Sequence, residues 1–278
     1  MTFGPRELDD LLAAHGLEPS RALGQNFVAD ANTVRRIARL ANIGPGDRVL
    51  EIGAGLGSLT LALVETGAAV TAVEIDRHLV PVLRSVVEPV GATVVEADAM
   101  EADWAAILGD EAPWSLVANL PYNVATPLVL DLLDDVPAIT EMLVMVQREV
   151  ADRLAAGPGS RTWGLPSLKV TYWAHAEVVG KVPASVFIPR PRVESALVRI
   201  VRRDEPAVPG DAAPLFALAR QAFSQRRKML RRSLAGRVDD AAFTAAGVRP
   251  EARPEELDVD AWARLRDAAA VAPGEPSG

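Results

Sequence analysis

Between residues 48 and 147 the chain alternates short apolar runs with helix-like stretches, and this rhythm limits the possible folds more than any other feature. The runs are RVLEI (48–52), AVTAVEID (69–76), TVVEAD (93–98), SLVANL (115–120) and EMLVMVQ (141–147). Continuous apolar strands separated by helices predict a parallel sheet covered on both faces. Ligands on such sheets bind at the carboxyl ends of the strands, so the polar residues there carry the most information. After Gly157-Pro158-Gly159, two more β-like stretches are read at 167–182 and 195–203, flanking the proline-rich segment 183–194. The expected organisation is a Rossmann-like α/β domain over 1–203, a linker over 204–214 and a small all-helical domain over 215–278. The closing APGEPSG is expected to lack regular structure.

Composition narrows the chemistry. With no cysteine, disulfides, thiolate metal sites and thiol nucleophiles are excluded together. His15, His78 and His175 are scattered, so no metal site is expected. No stretch of about 18 uncharged apolar residues argues for a membrane span. The N-terminus lacks a basic start followed by an apolar run, and a cytoplasmic protein is the natural expectation. Nothing demands more than a monomer. The formal net charge of −8 disfavours nucleic acid as a partner, but the charge is unevenly spread. Residues 220–237 hold seven basic side chains and no acid, and Lys181 to Arg203 holds six against Glu194 alone.

The loop Glu51-Ile52-Gly53-Ala54-Gly55-Leu56-Gly57 follows a strand and precedes a helix, where glycines let the backbone turn sharply and approach a ligand. Glu74 and Asp76 close the next strand, placed to accept hydrogen bonds from ribose hydroxyls. That pair of features fits a dinucleotide enzyme and a methyltransferase alike. Two details favour the second. An acid precedes the first glycine, and Asp98 ends the third strand, where it serves either an adenine amino group or the following helix as an N-cap.

Asn119-Leu120-Pro121-Tyr122, at the end of the fourth strand, is the sharpest motif. An adenine N6 amine is a poor nucleophile because its lone pair is conjugated into the ring. The Asn119 side-chain oxygen and the Leu120 carbonyl can accept its two N–H groups, and Pro121 stiffens the turn. The lone pair is thereby directed at a methyl donor. Tyr122 offers a flat face for a flipped-out base. Such catalysis is positioning and hydrogen bonding, with no covalent intermediate and no metal.

LGQNFVAD (23–30), VLEIGAGLGSLT (49–60), VEID (73–76), EADAM (96–100), NLPYNVATPLV (119–129), MVQREVADRL (145–154), FIPRPRVESALV (187–198) and FSQRRKMLRRSL (223–234) follow one another in order. Together they closely resemble the KsgA/RsmA family, the adenine N6,N6-dimethyltransferases of small-subunit 16S ribosomal RNA. The resemblance covers roughly residues 20–236. It implies a class I S-adenosylmethionine-dependent methyltransferase domain acting on two adjacent adenosines of the small ribosomal subunit. Asn26 and Val28 would contact the cofactor from the N-terminal side, Gly53 and Gly55 would approach it from the glycine loop, Glu74 would take the ribose and Asp98 the adenine. Asn119 would serve both cofactor and target, and Phe187 would face Tyr122 across the base. The departures are Ala54 for a frequent proline, Arg148 and Glu194 for lysine and aspartate, and Arg232 for a common asparagine.

Arg226, Arg227, Lys228, Arg231 and Arg232 recur at helical spacing among Phe223, Met229, Leu230 and Leu234, with no acid interleaved. A solvated helix normally carries acids for i,i+4 pairs, so a phosphate-facing helix is expected. Three rivals stay open. One is an Erm-type enzyme of large-subunit RNA, favoured less by the Gly-Gln-Asn-Phe start and the basic helix. Another is an assembly factor that binds without catalysis, and the third is a dehydrogenase, whose chemistry Asn119–Tyr122 does not serve.

Overall fold

The computed structural model describes residues 2–20, 22–110 and 113–271; the closing 272–278 segment lies outside them. The chain forms two compact units. One runs to Ala151 and resumes over Ala176–Arg202, and the other takes Asp152–His175 and the chain from Arg203 onward.

In the first unit the strands are β1 (Phe27–Val28), β2 (Arg48–Ile52), β3 (Ala69–Glu74), β4 (Thr93–Glu96), β5 (Trp114–Asn119), β6 (Ile139–Gln147), β7 (Ala174–Val182, beginning at the unit boundary), β8 (Phe187–Ile188) and β9 (Ser195–Arg202). Seven make one sheet in the order β4-β3-β2-β5-β6-β9-β7, while β1 pairs with β8. β4 through β6 in that order are parallel, and β9 runs antiparallel to β6. All five strands expected from the alternation are present. Successive residues of a strand point to opposite faces, and Met142 to Val146 are all buried, so both faces of β6 are covered. β3 lies on one side of β2 and β5 on the other, which makes the end of β2 the switch point of the sheet.

The helices that position the site are α1 (Pro5–Ala14), α2 (Ala31–Ala41), α3 (Ser58–Val64), α4 (Val80–Val87), α5 (Trp104–Leu108), α6 (Ala125–Asp135) and α7 (Arg148–Leu154). Asp30 starts α2 by accepting from the Asn32 amide, and Asn42 ends it in the left-handed region, at φ 52°. Its buried side chains Val34, Ile37, Ala38 and Ala41 follow an i, i+3, i+4, i+7 stripe. That stripe joins Leu63, Leu83 and Val87 of α3 and α4 in one core with Val49, Val70 and Val94 of the sheet. Each fully buried valine or leucine there contributes roughly 1.5–3 kcal/mol. Leu8 and Leu12 of α1 pack with Phe27, Leu56, Leu79 and Val82, behind the glycine loop.

The second unit is built from α8 (Leu165–Trp173), α9 (Ala212–Ser224), α10 (Leu230–Ser233), α11 (Asp240–Ala246) and α12 (Val259–Val271). Three expectations are corrected there. Residues 167–173, read as strand, are helical: Gly164 and Pro166 start α8, and the Gly164 amide donates to Ser167 Oγ. Leu168 and Tyr172, four residues apart, join Trp163, Leu215 and Phe216 in the core of this unit, so tertiary packing overrides the β-branched and aromatic composition. Asp152–His175 therefore falls in the helical unit, although its last two residues open β7 of the sheet. The expected linker is docked as well. Val208 is buried, the Ala207 amide donates to the Tyr172 carbonyl, and the Arg266 guanidinium donates to the carbonyls of Pro209 and Asp211. Last, the basic segment is not one helix. α9 ends at Ser224, Gln225 to Met229 form a turn, and α10 is a single turn of four residues.

Candidate active site

A cavity of about 300 Å³ opens at the carboxyl ends of β2, β3 and β5 and after β4. The residues expected at the cofactor, Asn26, Val28, Gly53, Gly55, Glu74, Asp98 and Asn119, all line it, as do Leu120, Pro121 and Tyr122. They come from five separate stretches of chain, brought together because parallel strands end on the same edge of the sheet.

The glycine loop is tied to the next strand. The buried Glu74 carboxylate accepts from the Gly55 amide at 2.7 Å and from the Asp76 amide at 2.9 Å. Burial raises its pKa, while the Asp76 and Gly55 amides lower it. Two oxygens offer about four acceptor positions, so lone pairs remain for a ligand hydroxyl. Gly55 is required on two counts: its φ is +59°, and a Cβ would stand 2.8 Å from the Phe27 ring. Phe27 belongs to the N-terminal strap of residues 23–28, which lines the cavity together with the loop. Gln25 fastens that strap, accepting from the Ser20 amide and donating to Asp76 Oδ2 at 2.8 Å.

Asn119 is oriented by the same strap. Its Nδ2 donates one N–H to the Asn26 carbonyl at 3.0 Å, which fixes the side-chain amide against the strap. The Leu120 amide donates to the Met145 carbonyl, which anchors the turn to β6. Tyr122 is half-buried, and its hydroxyl lies 2.6 Å from the Ser195 hydroxyl of β9. Burial raises the phenol pKa and the Ser195 bond lowers it. Asp98 lines the cavity and also closes a tight turn, accepting from the Met100 amide at 2.8 Å. The N-cap of α5 is Asp103, so Asp98 is not that cap.

Phe187 is the exception among the expected site residues. It is 3% exposed, sits in the core with Val28, Val182 and Leu197, and does not line the cavity. The β1–β8 pairing sets it against Val28 in register. Its ring packs in the core beside the strap.

Glu51 was legible only as an acid before the glycines. It lines the cavity, is 2% exposed, and its Oε2 has no hydrogen-bond partner. Burial pushes its carboxyl up to about 8; the Thr60 hydroxyl lowers it and the Glu74 charge raises it. A charged residue inside an apolar strand was the signal available for it. Ile75 and Met100, 44% and 39% exposed on the cavity wall, are apolar surfaces left bare for a ligand, and the sequence carried no comparable signal for them. Glu51, Glu74 and Asp98 face the cavity, and among the described residues no lysine or arginine does. An acid-lined, partly apolar cavity selects a cation with a flat apolar part. S-adenosylmethionine, with its sulfonium, ammonium and adenine, fits that donor set.

In the second unit the five basic residues divide. Arg226 is drawn in by Glu255 at 3.6 Å and by the Arg161 carbonyl, and Arg231 pairs with Glu251 at 3.2 Å. The acids absent from the local sequence are supplied from residues 251–255. Arg227, Lys228 and Arg232 are exposed and make no ion pair among the described residues. Of the basic residues between 181 and 203, Arg199 pairs with Glu141, and Arg202 donates to the Leu132, Leu133 and Val136 carbonyls at the end of α6. Among the described residues no His/Asp/Glu cluster could hold a metal, and no helix is long and apolar enough to cross a membrane.

The comparisons with known proteins agree with this geometry. The chain is 49% identical to ribosomal RNA small subunit methyltransferase A of Streptomyces coelicolor, over 95% of this chain and 96% of that protein. It is 48% identical to the protein of the same name from Kineococcus radiotolerans, over 98% and 94%. Among solved structures it is similar to the 23S rRNA methyltransferase ErmE, with a TM-score of 0.66 and 29% identity over 88% of this chain and 100% of that one. A dimethyladenosine transferase from Plasmodium falciparum shares the fold, with a TM-score of 0.69 and 23% identity over 85% and 94%. The signature of the ribosomal RNA adenine dimethylases matches residues 18–270, and the chain belongs to that family.

Proposed function

We propose that the protein dimethylates the N6 amines of two adjacent adenosines near the 3′ end of 16S ribosomal RNA in the small ribosomal subunit, as a step linked to ribosome biogenesis. The observation that carries this reading is Asn119, which lines the acid-lined cavity and is held to the strap by the bond from its Nδ2 to the Asn26 carbonyl. Glu74 takes the ribose hydroxyls, Asp98 the adenine amine, and Ile75 and Met100 the faces of the ring. Glu51 lies against positive charge, and Gly53 and Gly55 let the backbone approach. Bound S-adenosylmethionine supplies an electrophilic methyl group on its sulfonium. Asn119 Oδ1 and the Leu120 carbonyl would accept the amine hydrogens, two at the first transfer and the one left at the second, and turn the nitrogen lone pair toward that methyl. The N–C bond forms as the S–C bond breaks, S-adenosylhomocysteine leaves, and the displaced amine proton passes to solvent. Pro121 keeps the turn rigid, and Tyr122 stacks on the flipped base. No residue of the chain forms a covalent bond in this scheme.

Arg227, Lys228 and Arg232 are the exposed charges for the RNA backbone, with Arg226 and Arg231 held ready beside Glu255 and Glu251. The working form is a cytoplasmic monomer. The higher identity to the small-subunit relatives than to ErmE, 49% against 29%, favours the small subunit over the large one. The test is incubation with labelled S-adenosylmethionine and unmethylated small and large subunits, mapping the modified adenines. N6-dimethyladenosine near the 3′ end of small-subunit RNA is expected. Label confined to large-subunit RNA overturns the substrate, and no label on either overturns the catalytic reading.

A further inference from the structure

Among the described residues, Tyr122 is the one aromatic side chain on the cavity wall near Asn119, apart from Phe27 in the strap. A tyrosine ring has a broad χ2 preference, so nothing intrinsic to the residue holds its plane. Here the hydroxyl end is held. Ser195 is the first residue of β9, is fully buried, and its Oγ lies 2.6 Å from the Tyr122 oxygen. Ser195 is not a loop residue that could follow the ring. It is in register with Gln147, and the preceding Glu194 carbonyl accepts the Arg148 amide. The contact thus joins the Asn119–Tyr122 turn to the antiparallel part of the sheet, at the C-terminal end of β6. Ser195 does not line the cavity. A phenol keeps its O–H and its best acceptor direction near the ring plane. A fixed hydroxyl partner therefore holds both the long axis and the face of the ring.

We propose that Ser195 is a positioning residue for methyl transfer, acting through the Tyr122 hydroxyl to hold the ring on which the target adenine stacks. The inference rests on the methyltransferase reading above. Stacking sets the height and tilt of the base, hence the angle at which its N6 meets Asn119 Oδ1. Small errors there are costly, since misplacement by about 1 Å can lower a rate roughly a hundredfold. The bond would serve the reacting geometry, while the cofactor would be held by the glycine loop and the strap.

The test compares wild type, Ser195→Ala, Tyr122→Phe and the double variant on unmethylated small subunits, measuring kcat and KM for S-adenosylmethionine. Ser195→Ala is expected to lower kcat on the order of ten- to a hundredfold, with the cofactor KM unchanged within about twofold. In the Tyr122→Phe background the same change should lower kcat no further. A second readout needs no substrate. The chain has only two tyrosines, so the ultraviolet titration of Tyr122 is isolated by difference against Tyr122→Phe. Removing Ser195 should push that phenol pKa higher, because the bond now lowers it. An unchanged kcat in Ser195→Ala overturns the proposal, as does a full further loss in the Tyr122→Phe background. A wild-type protein inactive on small-subunit RNA overturns the function reading along with it.

Discussion

Replacing Glu51 by glutamine should make the cofactor-free protein more stable while weakening its hold on the cofactor. The Glu51 carboxyl is raised from 4.5 to about 8 by burial, with one oxygen unpartnered. Its folded pKa lies above its unfolded value, so between pH 4.5 and about 8 the unfolded chain binds fewer protons. Stability contributed by this site is fully present below 4.5 and is lost as pH rises toward 8. At pH 7 the chain stands about 2.5 pH units above the unfolded value, at about 1.4 kcal/mol per unit, a cost of about 3 kcal/mol. Glutamine keeps the shape and cannot ionise. Glu51→Gln should therefore gain about 3 kcal/mol at pH 7 and less than about 0.5 kcal/mol at pH 4.5. Urea unfolding of both proteins without cofactor, at pH 4.5, 6, 7 and 8, measures this directly. The same stability difference at pH 4.5 and pH 7 would refute the reasoning. In the wild type, cofactor binding near pH 7 should also release protons as Glu51 ionises beside the incoming cation. Calorimetry in two buffers of different ionisation heat measures that release, and it should disappear in Glu51→Gln.

Asn119→Ala should abolish methyl transfer to small subunits with the far-ultraviolet spectrum unchanged; full activity would sink the proposed mechanism. Gly57→Ala should destabilise the protein by about 2–5 kcal/mol, combining a left-handed backbone with overpacking. Its φ is +86° and a Cβ would lie 2.6 Å from Val87 Cγ1, and urea unfolding provides the check. Charge reversal at Arg227 and Lys228 together should weaken small-subunit RNA binding and reduce the salt slope by about 1–2, leaving cofactor affinity unchanged. An unaltered slope would remove these two side chains from the RNA surface. Reversal at Arg226 instead should also cost stability, because Glu255 would be left facing a like charge.

Much of the fold and site is written in local pattern. A continuous apolar strand closed by Glu74, Asp98 or Asn119 is recognisable from a few neighbouring residues, and parallel strands must end on a common edge. The sequence alone thus determined the five parallel strands, the edge on which the cavity opens and its polar residues Glu74, Asp98 and Asn119. Where patterns compete, it did not suffice. Residues 167–173 have the composition of a strand, and the cap at Gly164 with the packing of Leu168 and Tyr172 in the core around Trp163 makes them helical. The basic stretch has helical spacing, yet the chain turns at Gln225–Met229 and borrows Glu251 and Glu255 from further along the chain. Tertiary structure alone decided that Asn119 donates to Asn26, that Phe187 packs in the core, and that Ser195 meets the Tyr122 hydroxyl. Each of these depends on partners distant along the chain, at 93 residues for Asn119 and 73 for Tyr122. Periodicity reports which face a side chain turns to the core; which partner it meets there is set by the packing of elements that no local window contains.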